Sequence, residues 1–168
     1  MLRLKTLIDL YNLIEAEKII LEENWENKKG LNGIYVDVPD YPPIIGINKS
    51  ITNDSKKFRC TLSEELGHHF TTCRNLTKKS NDDIEELFKD KEERKAKTWG
   101  ADFLVSDDEF TQALLKCISN RYEICEHFGI TNELLEYKLN SILENGNRYN
   151  NILNKIKMNE IAYSSCNI

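Results

Sequence analysis

The stretch SEELGHHF, Ser63 to Phe70, sets two glutamates and two histidines within six residues, so that two Glu–His pairs overlap at a spacing of four. On a wheel of about 100° per residue, Phe58, Leu62, Leu66 and Phe70 fall on one apolar stripe, the core-facing side of a helix. Glu64 and His68 lie together on nearly the opposite side, and Glu65 and His69 lie nearer the edge of the stripe. Two readings follow. One is a solvated face with i, i+4 pairs, each contributing a few tenths of a kcal/mol. The other is a metal helix, because side chains one turn apart can converge on one ion, as the two histidines of H-E-x-x-H do.

Read as that motif, Glu64-Glu65-Leu66-Gly67-His68 supplies a general base in Glu65 and a ligand in His68, with glutamate standing for the first histidine. Carboxylate binds zinc at about 2.0–2.2 Å, and the exchange makes the site harder and more anionic. Gly67 fits a helix approached closely by another backbone, since a helical glycine otherwise costs up to about 1 kcal/mol. A third ligand has to come from elsewhere. In KEERKAKTWGADFLVS, Arg94, Lys95, Thr98 and Asp102 share a polar arc, while Glu93 shares the opposite arc with Ala96, Gly100 and Leu104. Those small residues permit close helix packing, which brings Glu93 toward His68. Glu92 also lies on the apolar side, between Trp99 and Phe103, and the wheel does not separate the two.

Working outward, 168 residues that are 40% hydrophobic suit one domain with a real core. A charged fraction of 30% and a net charge of -5 give no broad attraction for nucleic acid or anionic membranes. No apolar run reaches the roughly 20 residues a membrane helix needs, and Asp9, Glu15 and Glu17 interrupt the first stretch where a signal peptide keeps its apolar region. A cytoplasmic protein is expected. The five cysteines form no C-x-x-C pair and are expected to be reduced. Cys60 and Cys73 bracket the helix and offer an alternative thiolate ligand set.

Periodicity predicts a helix over 6–17, extended chain from Lys18 to Leu21, and strands over 33–38 and 43–48. The strand led by Pro42-Pro43 is expected at the sheet edge. Helices are predicted over 55–72, 82–104, 107–117, 120–128 and 131–143, so the class is α+β with a helical C-terminal half. Residues 1–143 form the expected domain, and the Asn-rich 144–168 is either a tail or a docked helix. EICEHFGITNELLEYKL has a helix-turn-helix outline with Gly129 at the turn, but its second helix sets Glu133 and Glu136 against Lys138, the wrong balance beside phosphates. His127 in that segment is expected to bond locally.

Together these segments resemble the ImmA/IrrE family of metallopeptidases, in particular the branch from clostridial and phage-derived elements that reads E-E-L-G-H-H or E-E-L-G-H-Y in place of H-E-x-x-H. Leu31 to Thr72 is similar to that branch's strand, loop, edge strand and active-site helix in order. ERKAKTWGADFLV is similar to its E-x-x-A-x-x-W/F-A stretch, and YEICEHFGITNELLEYKL to its C-terminal helix pair. The resemblance implies a zincin-like fold with a small antiparallel or mixed sheet, Glu65 as general base, and Glu64, His68 and Glu93 around zinc or manganese. His69, which has no counterpart in the simple motif, is expected to hydrogen-bond substrate or the transition-state oxygen. The implied activity is metal-dependent cleavage of a helix-turn-helix repressor of the XRE type on a prophage or mobile element. The alternative is a degenerate fold that grips the repressor without cutting it.

Overall fold

The computed structural model describes residues 3–26, 30–72 and 82–159, with only the backbone described for 82–86. The order is α1 (Leu7–Ala16), β1 (Ile20–Trp25), β2 (Gly33–Val36), β3 (Ile44–Asn48), α2 (Ser55–Thr71), α3 (Asp82–Leu104), α4 (Asp107–Leu115), α5 (Arg121–Phe128), α6 (Asn132–Glu144) and α7 (Gly146–Met158). This is a mixed α+β fold, as the sequence pattern predicts.

The sheet order is β1-β3-β2, with β1 parallel and β2 antiparallel to β3. The expectation that the proline-led strand lies at the edge is therefore wrong: β3 is central, and β1 and β2 are the edges. Pro42 and Pro43 precede the strand, where no ladder donor is required, and Pro43 serves the sheet as an acceptor from Ile20 N at 2.8 Å. Ile45 and Ile47 of β3 are fully buried. The chain reaches β1 through Lys18, whose left-handed φ of 56° ends α1 sharply.

Asp54 caps α2, accepting from Lys57 N at 3.0 Å, and fixes where the helix begins against the sheet. Phe58, Leu62 and Leu66 are buried in the predicted stripe, together with Leu10 and Ile14 of α1 and Leu104 of α3. Phe70 departs from the stripe. It is 40% exposed, in the last turn of α2, and its ring stacks on Trp99 with centroids 4.8 Å apart.

α2 and α3 pack at nearly backbone contact. A Cβ at Gly67 would meet the backbone of Ala96, with Ala96 C only 2.7 Å away, and one at Gly100 would lie 2.9 Å from Ser63 O. No larger residue fits without moving one helix. This contact sets the spacing of the site described below.

Within 144–168, α7 covers Gly146–Met158 and packs against the rest of the fold. Ile152 is buried, and Arg148 Nη2 reaches Asp102 Oδ1 at 2.7 Å and Asp107 Oδ1 at 2.6 Å. Lys138 Nζ bonds the same two oxygens at 2.8 and 2.7 Å while only 1% exposed. Lys138 is thus spent inside the fold. Cys60 and Cys125 are free thiols, but Cys117 is disulfide-bonded, so the expectation of uniformly reduced cysteines does not hold there. Cys73 and Cys166 lie outside the described residues, as does the tail beyond 159.

Candidate metal centre

Helix α2 carries Glu64, Glu65 and His68, and α3 brings Glu93 across the Gly67–Ala96 contact. Glu64, His68 and Glu93 each offer a donor atom, and the three atoms lie within 4.8 Å of one another. His68 Nε2 is 3.5 Å from Glu93 Oε1. Among the described residues this is the group of His, Cys, Asp and Glu with metal-ligand proximity. The packing also separates Glu93 from Glu92, whose Oε1 accepts from Lys95 Nζ at 2.7 Å.

Glu65 sits beside this group, 6% exposed. Its neighbour is Gly33 at the start of β2, where a Cβ would collide with Glu65 Oε1 and come within 2.7 Å of Thr61 Cγ2. Gly33 therefore keeps the edge strand close to the glutamate. Burial pushes the Glu65 carboxyl up to about 8, and the charges of Glu64 and Glu93 add to that while His68 opposes it. Glu64 is raised for the same first reason, burial, against the field of Lys97. Glu93 is lowered by its hydrogen bond with His68. For His68, burial alone favours the neutral ring, but the bond to Glu93 and the nearby carboxylates outweigh it and raise the pKa.

Three carboxylates thus face one imidazole and one ammonium, Lys97, whose Nζ is 3.7 Å from Glu64 Oε1. Burial raises the carboxyls of Glu64 and Glu65, so a cation set among them would relieve the cost of ionising them, and hard oxygen donors with one nitrogen suit a divalent cation. Glu64, Glu65, Glu93 and Lys97 open onto a cleft of about 550 Å³ bounded by Gly33 of β2 and by Leu134 and Tyr137 of α6.

His69 does not join them. Its Nδ1 lies 2.9 Å from Tyr35 Oη and its Nε2 3.3 Å from Glu17 Oε2, so both ring nitrogens are engaged in tying α2 to β2 and to the end of α1. One residue after His68 the helix has turned by about 100°, and this ring points to different partners. Cys60 Sγ accepts from Thr131 N at 3.4 Å and is not among the clustered donors. His127 packs its ring against Phe128. Two residues of the site escape the sequence reading, Gly33 and Lys97. A glycine opening a β-rich run is a visible signal for the first, and the i+4 spacing from Glu93 is one for the second.

Residues 20–140 match the family described as the IrrE N-terminal-like domain, a peptidase family. The chain belongs to this family, which is of the metallopeptidase type. No curated protein and no solved structure matches it. No helix among the described residues is long and apolar enough to cross a membrane.

Proposed function

We propose that the protein is a metal-dependent endopeptidase of a mobile element or prophage, acting in the cytoplasm on a helix-turn-helix repressor of the XRE type. One observation carries the catalytic part: Glu64, His68 and Glu93 converge within 4.8 Å while Glu65, one residue from the first and three from the second, is buried at the same cleft. A binding surface alone has no physical need for a desolvated base aligned beside clustered ligands.

Glu64, His68 and Glu93 would hold zinc or manganese. Bound there, a divalent cation supplies Lewis acidity toward a carbonyl and toward water. The remaining work falls to the chain's own groups. Glu65, which burial keeps largely protonated at neutral pH, would be ionised by a cation at the cluster, and would then take the proton of the attacking water and later pass it to the leaving amine. His68, bonded to Glu93, holds its ring orientation within the cluster. The edge strand β2, paired to β3 on one side, offers main-chain groups to an extended substrate, and Gly33 brings that strand to the base. On this reading the substrate lies along β2 instead of the strand at 43–48, because β3 is paired on both sides. The net charge of -5 aids approach to a basic DNA-binding protein.

Glu64 in place of the family's first histidine favours the second reading, a repressor-binding protein without peptidase activity. The two separate when purified protein, neighbouring repressor and zinc or manganese are mixed, and intact mass and operator binding are followed. Cleavage that falls by at least about 100-fold in Glu65→Gln supports the enzyme. Loss of operator binding without cleavage supports the binding protein, and no interaction with the repressor contradicts both accounts of the partner.

A further inference from the structure

Glu64 is largely buried, with the like charge of Glu93 across the helix contact. A glutamate side chain has three rotatable bonds, and repulsion of this kind would turn it out toward solvent. Something must hold it in. Lys97 lies one helical turn after Glu93 on α3 and reaches toward the same carboxylate, with Nζ 3.7 Å from Glu64 Oε1. The lysine is itself held from behind. Glu133 on α6 accepts from Nζ at 2.7 Å, and the ammonium lies 5.5 Å from the centre of the Tyr137 ring.

We infer that Lys97, anchored by Glu133, is the counter-cation that lets a carboxylate serve at position 64, holding Glu64 toward His68 and Glu93 as a positioning residue for the metal centre. This rests on the metal-centre reading proposed above and extends it to a pair, Glu64 with Lys97, that acts as a unit. The chemistry of the pair is asymmetric. A carboxylate ligand gains orientation from an ammonium on its outer side, in the way that hydrogen-bonded partners fix metal-bound carboxylates. An imidazole at 64 binds metal as the neutral ring and gains nothing from that ammonium. The contribution of Lys97 should therefore exist only when residue 64 is glutamate.

The test is calorimetric titration of zinc into the full chain, previously stripped with chelator, for the wild type, Lys97→Met, Lys97→Arg, Glu133→Gln, Glu64→His and the Glu64→His/Lys97→Met double variant. Lys97→Met should weaken zinc by about 10–100-fold, Lys97→Arg should stay close to the wild type, and Glu133→Gln should weaken zinc in the same direction by less. In the Glu64→His background the Lys97→Met change should cost nothing. Circular dichroism of each variant checks folding, and Glu133→Gln tests the anchor if Lys97→Met fails to fold. Wild-type affinity in Lys97→Met, or an equal loss in both backgrounds, overturns the inference and leaves the metal centre standing. Absence of zinc uptake by the wild type and by Glu64→His alike overturns the metal centre and the inference with it.

Discussion

Two clusters of charged side chains lie between helices in this protein, each built from acidic and basic residues, and they behave in opposite ways. Lys138 and Arg148 meet Asp102 and Asp107 where α3, α4, α6 and α7 converge, two cations against two anions. Glu64, Glu65 and Glu93 meet His68 and Lys97 between α2 and α3, and Lys97 is already shared with Glu133. The acidities report the contrast. Hydrogen bonds from Arg148 and Lys138 hold the Asp107 carboxyl down at about 2, whereas burial and neighbouring carboxylates hold Glu65 up at about 8. The first cluster is balanced by its own cations, and the second is unbalanced in that burial raises its carboxyls where a cation would lower them.

The contrast predicts opposite results for removing one charge. Lys138→Met removes one of the two cations that Asp102 and Asp107 share and leaves Arg148 to hold both partly exposed carboxylates, which should cost about 2 kcal/mol, the scale of a lost hydrogen bond to a charged group. Denaturant unfolding should show that loss, with zinc uptake unchanged because the two clusters share no residue. A variant as stable as the wild type would remove the structural role assigned to the network.

Glu65→Gln should do the reverse in chelator-treated protein. It removes a buried carboxyl that must take up a proton on folding at neutral pH, because its folded-state pKa of about 8 lies above the ordinary 4.5, and should raise stability there by about 1–2 kcal/mol, the scale of a poorly satisfied buried polar group. A lower melting temperature than the wild type would mean that the site is balanced after all.

The smallest effect is acidic. Asp107 has a folded-state pKa below the ordinary 3.8, so its contribution is complete above about pH 4 and is lost as pH falls toward 2. Because the carboxylate is one-third exposed, screening reduces this to about 1 kcal/mol. Acid unfolding of Arg148→Met, followed by circular dichroism, should lack most of that limb. A limb of undiminished size would place the titration elsewhere.

What the sequence discloses about these regions follows the range of the forces involved. The wheel places Glu65 near the core edge of α2 and Glu93 on a face of small residues, because one helix's own periodicity contains that information. It leaves Glu92 and Glu93 tied, since the decision depends on how Ala96 meets Gly67 across two helices. His69 illustrates the same limit: its partners Tyr35 and Glu17 are 34 and 52 residues away. β3 is read as a strand from its β-branched residues but misplaced to the edge, because prolines before a strand say nothing of what lies beside it. α7 escapes a firm reading for a different reason. Its core contribution is slight, and its docking depends on Arg148 and on aspartates 41 and 46 residues earlier.

The central claim is that the unbalanced cluster is a cation site formed by Glu64, His68 and Glu93. Anomalous diffraction at the zinc edge from crystals of zinc-loaded protein tests it most directly. The account predicts one strong peak about 2.0–2.2 Å from an oxygen of Glu64, a nitrogen of His68 and an oxygen of Glu93. A peak coordinated by other residues, or none between α2 and α3, would contradict it.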